Sequence, residues 1–336
     1  MKLSRRDFAA AAAWLASVPA IASSRREVSV ISAPVSLGLR PGAKGQEPGA
    51  WRAPEVLLAA GLADKVGASR VVALARPTYD FHERHGTRIR NGDTLREFML
   101  ELGAKVRAQL EAGRFPLVLG GDCSVLLGCL YGARLAGGRG LVHVDGHSDF
   151  FHPGNYDTHA RLGSAAGMDL ALATGRGEQI LTRWPGIDGP LVADDDAIQA
   201  GERDAEDADY DKFYGDIVRT SITRHTIQQI HREGIVRTAE RIVARLSQRG
   251  IERAWLHVDL DVLDEQVMNA VDSPGTPGFD YAQLSTLLRA LIGSGRVIGL
   301  DVCIYDPDLD PGHRFAKPIV DCLVDGLAES TADGLR

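Results

Sequence analysis

Short apolar runs along the chain alternate with longer stretches in which apolar positions recur every three or four residues. The short runs are Val28–Ile31, Arg70–Leu74, Pro116–Leu119, Gly140–Val144, Ala254–Val258 and Val297–Cys303. Several are nearly continuous in Val, Leu and Ile, the pattern of strands buried on both faces. The longer stretches Leu95–Glu111, Ile227–Gln248 and Tyr281–Ile292 read as helices with one apolar face, and Asp280 stands where it would cap the last of them. Strands alternating with helices predict an α/β fold around a mostly parallel sheet. No linker interrupts the alternation, so residues 23–336 read as one domain.

Two stretches fall outside this pattern. Residues 173–225 are the least periodic, and their acidic runs, Asp194-Asp195-Asp196 and the segment from Gly201 to Asp216, read as a solvated face. The N-terminus carries Ser4-Arg5-Arg6-Asp7-Phe8, a short apolar run and a small-x-small end at Ala20-Ile21-Ala22. A charged head, an apolar middle and small residues before a cleavage point make a signal peptide over residues 1–22, and the arginine pair resembles a twin-arginine signal. The expectation is export to the periplasm or beyond. No later run approaches the length needed to span a bilayer, so the mature chain is expected to have no membrane span.

Composition narrows the function. A chain of 336 residues, 44% apolar, can build one large core. A net charge of -7 and the lack of any basic stripe argue against nucleic acid as a partner, because phosphate binding needs clustered Lys and Arg. A small-molecule substrate is the better expectation. Of the four cysteines, Cys129, Cys303 and Cys322 read as buried free thiols. Cys123 stands apart, because it follows Asp122 directly after a strand.

Three polar strings follow three of the predicted strands: Gly120-Gly121-Asp122-Cys123-Ser124, Asp145-Gly-His147-Ser-Asp149, and Asp259-Leu-Asp261-Val-Leu-Asp264. The carboxyl edge of a parallel sheet is where ligands bind. In an extended chain Asp145, His147 and Asp149 share one face. Two carboxylates and an imidazole held together call for a cation, and Asp259 with Asp261 repeats the demand. Oxygen-rich ligands with one imidazole suit manganese or a similar divalent ion. Two such strand ends side by side can hold two ions, and a bound pair can turn a water into hydroxide near neutral pH.

These strings resemble the signature blocks of the ureohydrolase family (arginase, agmatinase and formimidoylglutamase): GGDHS, then DAHxD, then DxDxxDP. The resemblance extends over most of the chain beyond the signal. Gly45–Leu62 is similar to the family's N-terminal glycine-rich region, Ala200-Gly-Glu-Arg-Asp204 to the strand before its substrate loop, and Asp272–Pro277 to its Gly-Thr-Pro turn. It implies a three-layer α/β/α fold, a homotrimer or homohexamer, and two divalent ions, manganese first among them. By position, Asp145 and Asp259 would bridge the ions, Asp149 and Cys123 would complete one shell, and His147 and Asp261 the other. Asp264 would shape its loop. Asp204 and Glu206 would contact a substrate amine.

Three departures accompany the resemblance. Cys123 stands where most of the family has His, an exchange similar to that in the hydroxyarginine amidinohydrolase of cycloserine biosynthesis, which also resembles this chain in its DGHxDF string. A thiolate can ligate, and an inert thiol at the site's edge is the other reading. Ile304 falls where the family places a Glu that holds the guanidinium, leaving Asp301 or Asp306 to compensate. Ala166 aligns with the family's proton-shuttle His, whereas a different spacing gives that role to His159, with His152 behind it. The leading function is therefore hydrolysis of a non-peptide C–N bond in an amidine or guanidino compound by a metal-activated hydroxide. A deacylase on the same scaffold and a catalytically silent periplasmic binding protein are the alternatives.

Overall fold

In a computed structural model of the chain, residues 26–82, 89–153, 163–206 and 216–328 are described. The predicted signal segment and His159 lie outside them. One eight-stranded sheet organises the described residues. Its strands are β1 (Val28–Ser32), β2 (Arg70–Ala73), β3 (Phe115–Leu119), β4 (Gly140–Val144), β5 (Ala197–Ala200), β6 (Thr223–His225), β7 (Ala254–Asp259) and β8 (Val297–Cys303). They run in the spatial order β2-β1-β3-β8-β7-β4-β5-β6, every neighbouring pair parallel. The α/β expectation holds, and all six predicted strands are present.

Helices cover both faces, giving the three layers α/β/α. On one side lie α2 (Gly92–Glu111), α3 (Val125–Leu135) and α4 (Asp169–Ala173). On the other lie α1 (Ala53–Ala59), α6 (Ile235–Gln248), α7 (Tyr281–Gly293) and α8 (Ala316–Leu327). Asp280 caps α7 as its sequence predicts, in a reciprocal box with Gln283, an arrangement that stabilises a helix by about 1 kcal/mol. At the crossing of α2 and α3, Gly103, Gly128 and Gly132 let the backbones meet, and a Cβ on Gly132 would run into the Gly103 carbonyl.

Several elements depart from the sequence reading. The helix expected over Ile227–Gln248 is two, α5 (Ile227–Glu233) and α6, broken at Gly234, whose φ of 89° lies in the left-handed region that glycine tolerates. Helix α3 escaped the periodicity search because it is buried from Val125 through Ala133 and has no polar stripe to set a period. Strands β5 and β6 come from the least periodic stretch, only four and three residues long, with polar Gln199 and Arg224 inside them. The Asp194-Asp195-Asp196 run is not a simple solvated face. It forms a short turn before β5 in which Asp196 is buried and paired with Arg139 and Arg249, while Asp194 pairs with Arg176.

Candidate metal centre

Register alone brings the site together. Val144 pairs with Val258, so Asp145 and Asp259 leave the sheet side by side. Asp259 pairs with Cys303 across the next ladder. In a parallel sheet matched residues point to the same face, so Asp145, Asp259 and Cys303 form a row across β4, β7 and β8. The loop after β3 adds Cys123 from the β8 side, its thiol donating to Asp259 Oδ2 at 2.6 Å. Asp122 pins that loop by accepting from the Gly38 amide at 2.9 Å and the Ser124 amide at 2.9 Å. Burial pushes the Asp122 carboxyl up to about 6 in spite of these bonds.

On the other side, His147 Nδ1 stands 2.8 Å from Asp261 Oδ2 and 3.8 Å from Asp145 Oδ1. The chain reaches Asp149 in a left-handed conformation, φ 44°, an uncommon state for a residue with a side chain. Two donor groups result. Ligand atoms of Asp145, His147 and Asp261 all lie within 4.8 Å of one another, as do those of Cys123, Asp259 and Cys303. His143, Asp145 and Asp149 form a third group of the same kind that joins Asp149 to the row.

The electrostatics call for a cation. Asp145, Asp259 and Asp261 are nearly or wholly buried. Burial, then the neighbouring Asp149 and Asp261, raises the Asp145 pKa well above the usual carboxylate range. Burial and Asp261 do the same to Asp259, and Asp149 is pushed up to about 7, first by burial. Only Asp261 goes down, to about 2, because His147 outweighs its burial, and Asp261 in turn outweighs burial to lift His147 to about 10. Asp145 Oδ2 is buried and accepts no hydrogen bond among the described residues, with His143 Nε2 at 3.6 Å. An orphaned buried carboxylate oxygen is costly. Divalent ions fit this donor set, with carboxylates and an imidazole on one side and carboxylates with sulfur on the other.

A second polar layer lies two residues deeper, and sequence reasoning missed it. The same registers align His143 with His257 and His257 with Asp301. The two imidazoles stack with centroids 4.7 Å apart. Asp301 accepts from Trp255 Nε1 at 2.5 Å and lies 2.6 Å from His257 Nδ1. Asp169, at the start of α4, reaches His143 Nε2 at 3.1 Å and His257 Nε2 at 3.5 Å. The alternation of His143 with Asp145 and of His257 with Asp259 was the available signal. Arg203, also unrecognised, donates from Nη2 to the Asp261 carbonyl and from Nε to that of Pro277 at 3.3 Å, which ties the ligand loop to the Asp272–Pro277 turn.

The remaining candidates divide. Asp264 accepts from Thr276, Gly278 and Gln266 and shapes its loop, as expected. Asp204 lies close enough to help raise the His147 pKa, whereas Glu206 is exposed, 3.8 Å from Arg232. Neither of the two acids expected to compensate for Ile304, Asp301 and Asp306, is free to do so. Asp301 is bound to Trp255 and His257, and Asp306 accepts from the amides of Gly49 and Asp308. Ile304 itself is buried with φ 71°, a conformation that costs a β-branched residue about 1–3 kcal/mol. His152 sits 3.1 Å from Asp216. Ala166 lines a cavity of about 290 Å³ together with Arg40, Phe151, Ser164, Asp272 and Ser273. Asp272 is near enough to Asp261 and His147 for their charges to act on it, so this cavity opens beside the centre.

Comparison with known proteins places this geometry. A model of the arginase family matches residues 26–325. An arginase of Bacillus caldovelox is 29% identical over 240 residues, covering 71% of this chain and 77% of that protein. The crystal structure of arginase from Bacillus cereus superposes with a TM-score of 0.76 at 25% identity, over 91% of this chain and 99% of that one. Formimidoylglutamase from Bacillus subtilis shares the fold, with a TM-score of 0.66 at 18% identity over 90% of this chain and 86% of that one.

Proposed function

The chain belongs to the arginase family, and from that premise we propose that it hydrolyses a non-peptide C–N bond in an amidine or guanidino compound with two divalent ions, manganese first among them. The observation that carries this reading is the buried pair Asp145 and Asp259, adjacent in register, with Asp145 Oδ2 finding no hydrogen-bond donor among the described residues. Asp145 and Asp259 would bridge, Asp149 and Cys123 would complete one shell, and His147 and Asp261 the other. A bound ion pair supplies an activated water and polarises the carbon under attack.

The chain's own groups do the rest. Asp261 fixes the His147 ring through Nδ1. Arg203 and Asp264 hold the loops that carry Asp261 and Asp272. The cavity beside the centre offers Arg40 to a substrate carboxylate and Asp272 to a substrate amine, and Asp204 and Glu206 would read the amine from the loop after β5. His159 is the proposed proton shuttle, since Ala166 brings no titratable group to the cavity. The N-terminal leader would export the folded, metal-loaded enzyme by the twin-arginine route to the periplasm.

One observation favours a second reading. Ile304 is apolar and buried where a guanidinium would need an acid, which suits a neutral amide and hence a deacylase. Metal analysis of the mature protein followed by a panel of guanidino compounds and acyl-amines tests both. Two ions per chain with urea release support the first. Amine release without urea moves the second ahead. No turnover of either class with ions bound leaves a binding protein.

A further inference from the structure

Both sulfurs at the β8 side of the centre converge on a single oxygen. Cys123 Sγ lies 2.6 Å and Cys303 Sγ 3.5 Å from Asp259 Oδ2, and the three atoms are all within 4.8 Å of one another. The other oxygen of Asp259 is committed to the Asp261 amide at 2.7 Å. Both thiols are buried and neither is in a disulfide. Cys303 was expected to be an inert core thiol like Cys129 and Cys322. Cys322 lies elsewhere, on α8 with its thiol toward the Tyr281 carbonyl, and Cys129, within α3, sits beside Asp301 in the deeper layer rather than at Asp259. Register singles out Cys303 by placing it opposite Asp259.

We infer that Cys303 is a second thiolate ligand beside Cys123, so that the ion position on the β8 side of Asp259 is a two-sulfur site for a borderline-soft cation of the zinc type, while the position between His147 and Asp261 remains an oxygen–nitrogen site of the manganese type. The inference rests on the two-ion reading above and refines it. Geometry supports it directly. A sulfur at about 2.3 Å and an oxygen at about 2.0–2.2 Å that are neighbours on one zinc stand roughly 3.0–3.9 Å apart, whether four or five ligands surround the ion. The Cys303–Asp259 separation already lies in that range, and the shorter Cys123–Asp259 contact is a thiol hydrogen bond that an ion would replace. Each sulfur–metal bond forms as a thiol releases its proton to solvent, so no oxidant or reductant is required. Softness then sorts the two positions: thiolates prefer zinc, whereas Asp145, His147 and Asp261 offer only oxygen and nitrogen.

Cobalt reports sulfur directly. The full mature chain, stripped with chelator under reductant, is reloaded with two equivalents of Co²⁺ and examined by X-ray absorption and by its sulfur-to-cobalt charge-transfer band. Two thiolates over two ions give about one sulfur per cobalt, and either Cys303→Ala or Cys123→Ala lowers this to about half with a matching loss of the band. About half a sulfur per cobalt in the unaltered protein, or a Cys303→Ala spectrum like that of the parent, overturns the inference while two bound ions preserve the binuclear reading. Fewer than two cobalt ions per chain overturns both. Should Cys303→Ala fail to fold, the sulfur count of the unaltered protein decides alone. Loading with one equivalent of zinc in excess manganese should put the zinc at the two-sulfur position, read as two sulfurs at the zinc absorption edge, and a zinc edge without sulfur would contradict the sorting.

Discussion

The protein holds two clusters of acidic residues and treats them in opposite ways. In the turn before β5, Asp194 and Asp196 meet Arg176, Arg139 and Arg249, and the arginines outweigh burial to hold Asp196 below the ordinary carboxylate range. At the carboxyl ends of β4 and β7, Asp145, Asp149, Asp259 and Asp261 gather around His147, with His143 beside Asp145, and three of the four are pushed upward all the same. Both clusters follow from runs of aspartate, yet only the first is neutralised from within. Where structure alone is at stake the chain supplies guanidinium groups. Where they are withheld from a buried cluster, the missing charge must come from outside.

The sharpest way to break this contrast is Asp145→Ala. It should remove both ions, as read by elemental analysis, and take metal-dependent turnover to background; retained turnover would sink the proposed chemistry. Stability should separate the clusters next. Asp196→Ala should lower stability by about 1–2 kcal/mol with or without metal, a loss kept modest by the exposure of its arginine partners. Asp145→Asn should instead stabilise the metal-free protein, by about 1 kcal/mol, because it removes a charge repelled on several sides. Denaturant melts of the two variants with chelator should therefore move in opposite directions.

The last contrast is in pH. Asp149 rises from 3.8 to about 7 on folding, so the metal-free folded state binds its proton more tightly and its stability should fall as pH rises from about 4 to about 7. Asp196 is depressed, so its contribution is present above 3.8 and is lost as pH falls through its lower folded value. Thermal melts of metal-free Asp149→Asn should show a shallower first slope, the share due to Asp145 and Asp259 remaining, and those of Asp196→Asn should lose the second. Bound ions should flatten the first slope only.

How far the sequence carried this picture depended on whether information ran along one strand or across several. The strands bearing the three polar strings were legible because each is a near-continuous apolar run, which stops at an acid at Val144-Asp145 and Val258-Asp259 and at a glycine pair before Asp122. The role of Cys303 was not, since nothing along Val297–Cys303 says which residue faces Asp259. His143, His257 and Asp169 were hidden, and Asp301 was read only as a stand-in for a missing Glu, for the same reason: three of them are single polar residues inside apolar strands, and their meeting is made by cross-strand register and by α4. Strands β5 and β6 were too short to show a period. In the Ile227–Gln248 stretch, apolar spacing continued through Gly234 and concealed the break that its backbone makes.

The ladder between β7 and β8 carries a further consequence. Ala254 pairs with Val297, but Trp255 pairs with Gly299, so Ile298 is an extra residue at that point. The seven residues of β8 have one edge of Ile298, Leu300 and Val302, and another of Val297, Gly299, Asp301 and Cys303. Had pairing run on unbroken, Leu300 and Val302 would stand opposite His257 and Asp259, and the acid and the thiol would be turned away from them. Gly299 also leaves room for the Trp255 ring that donates to Asp301. The strand's chemistry is thus a matter of phase: one irregular step at its base decides whether the same residues present an aliphatic wall or a proton-bearing one, several residues before any of the reactive groups is reached.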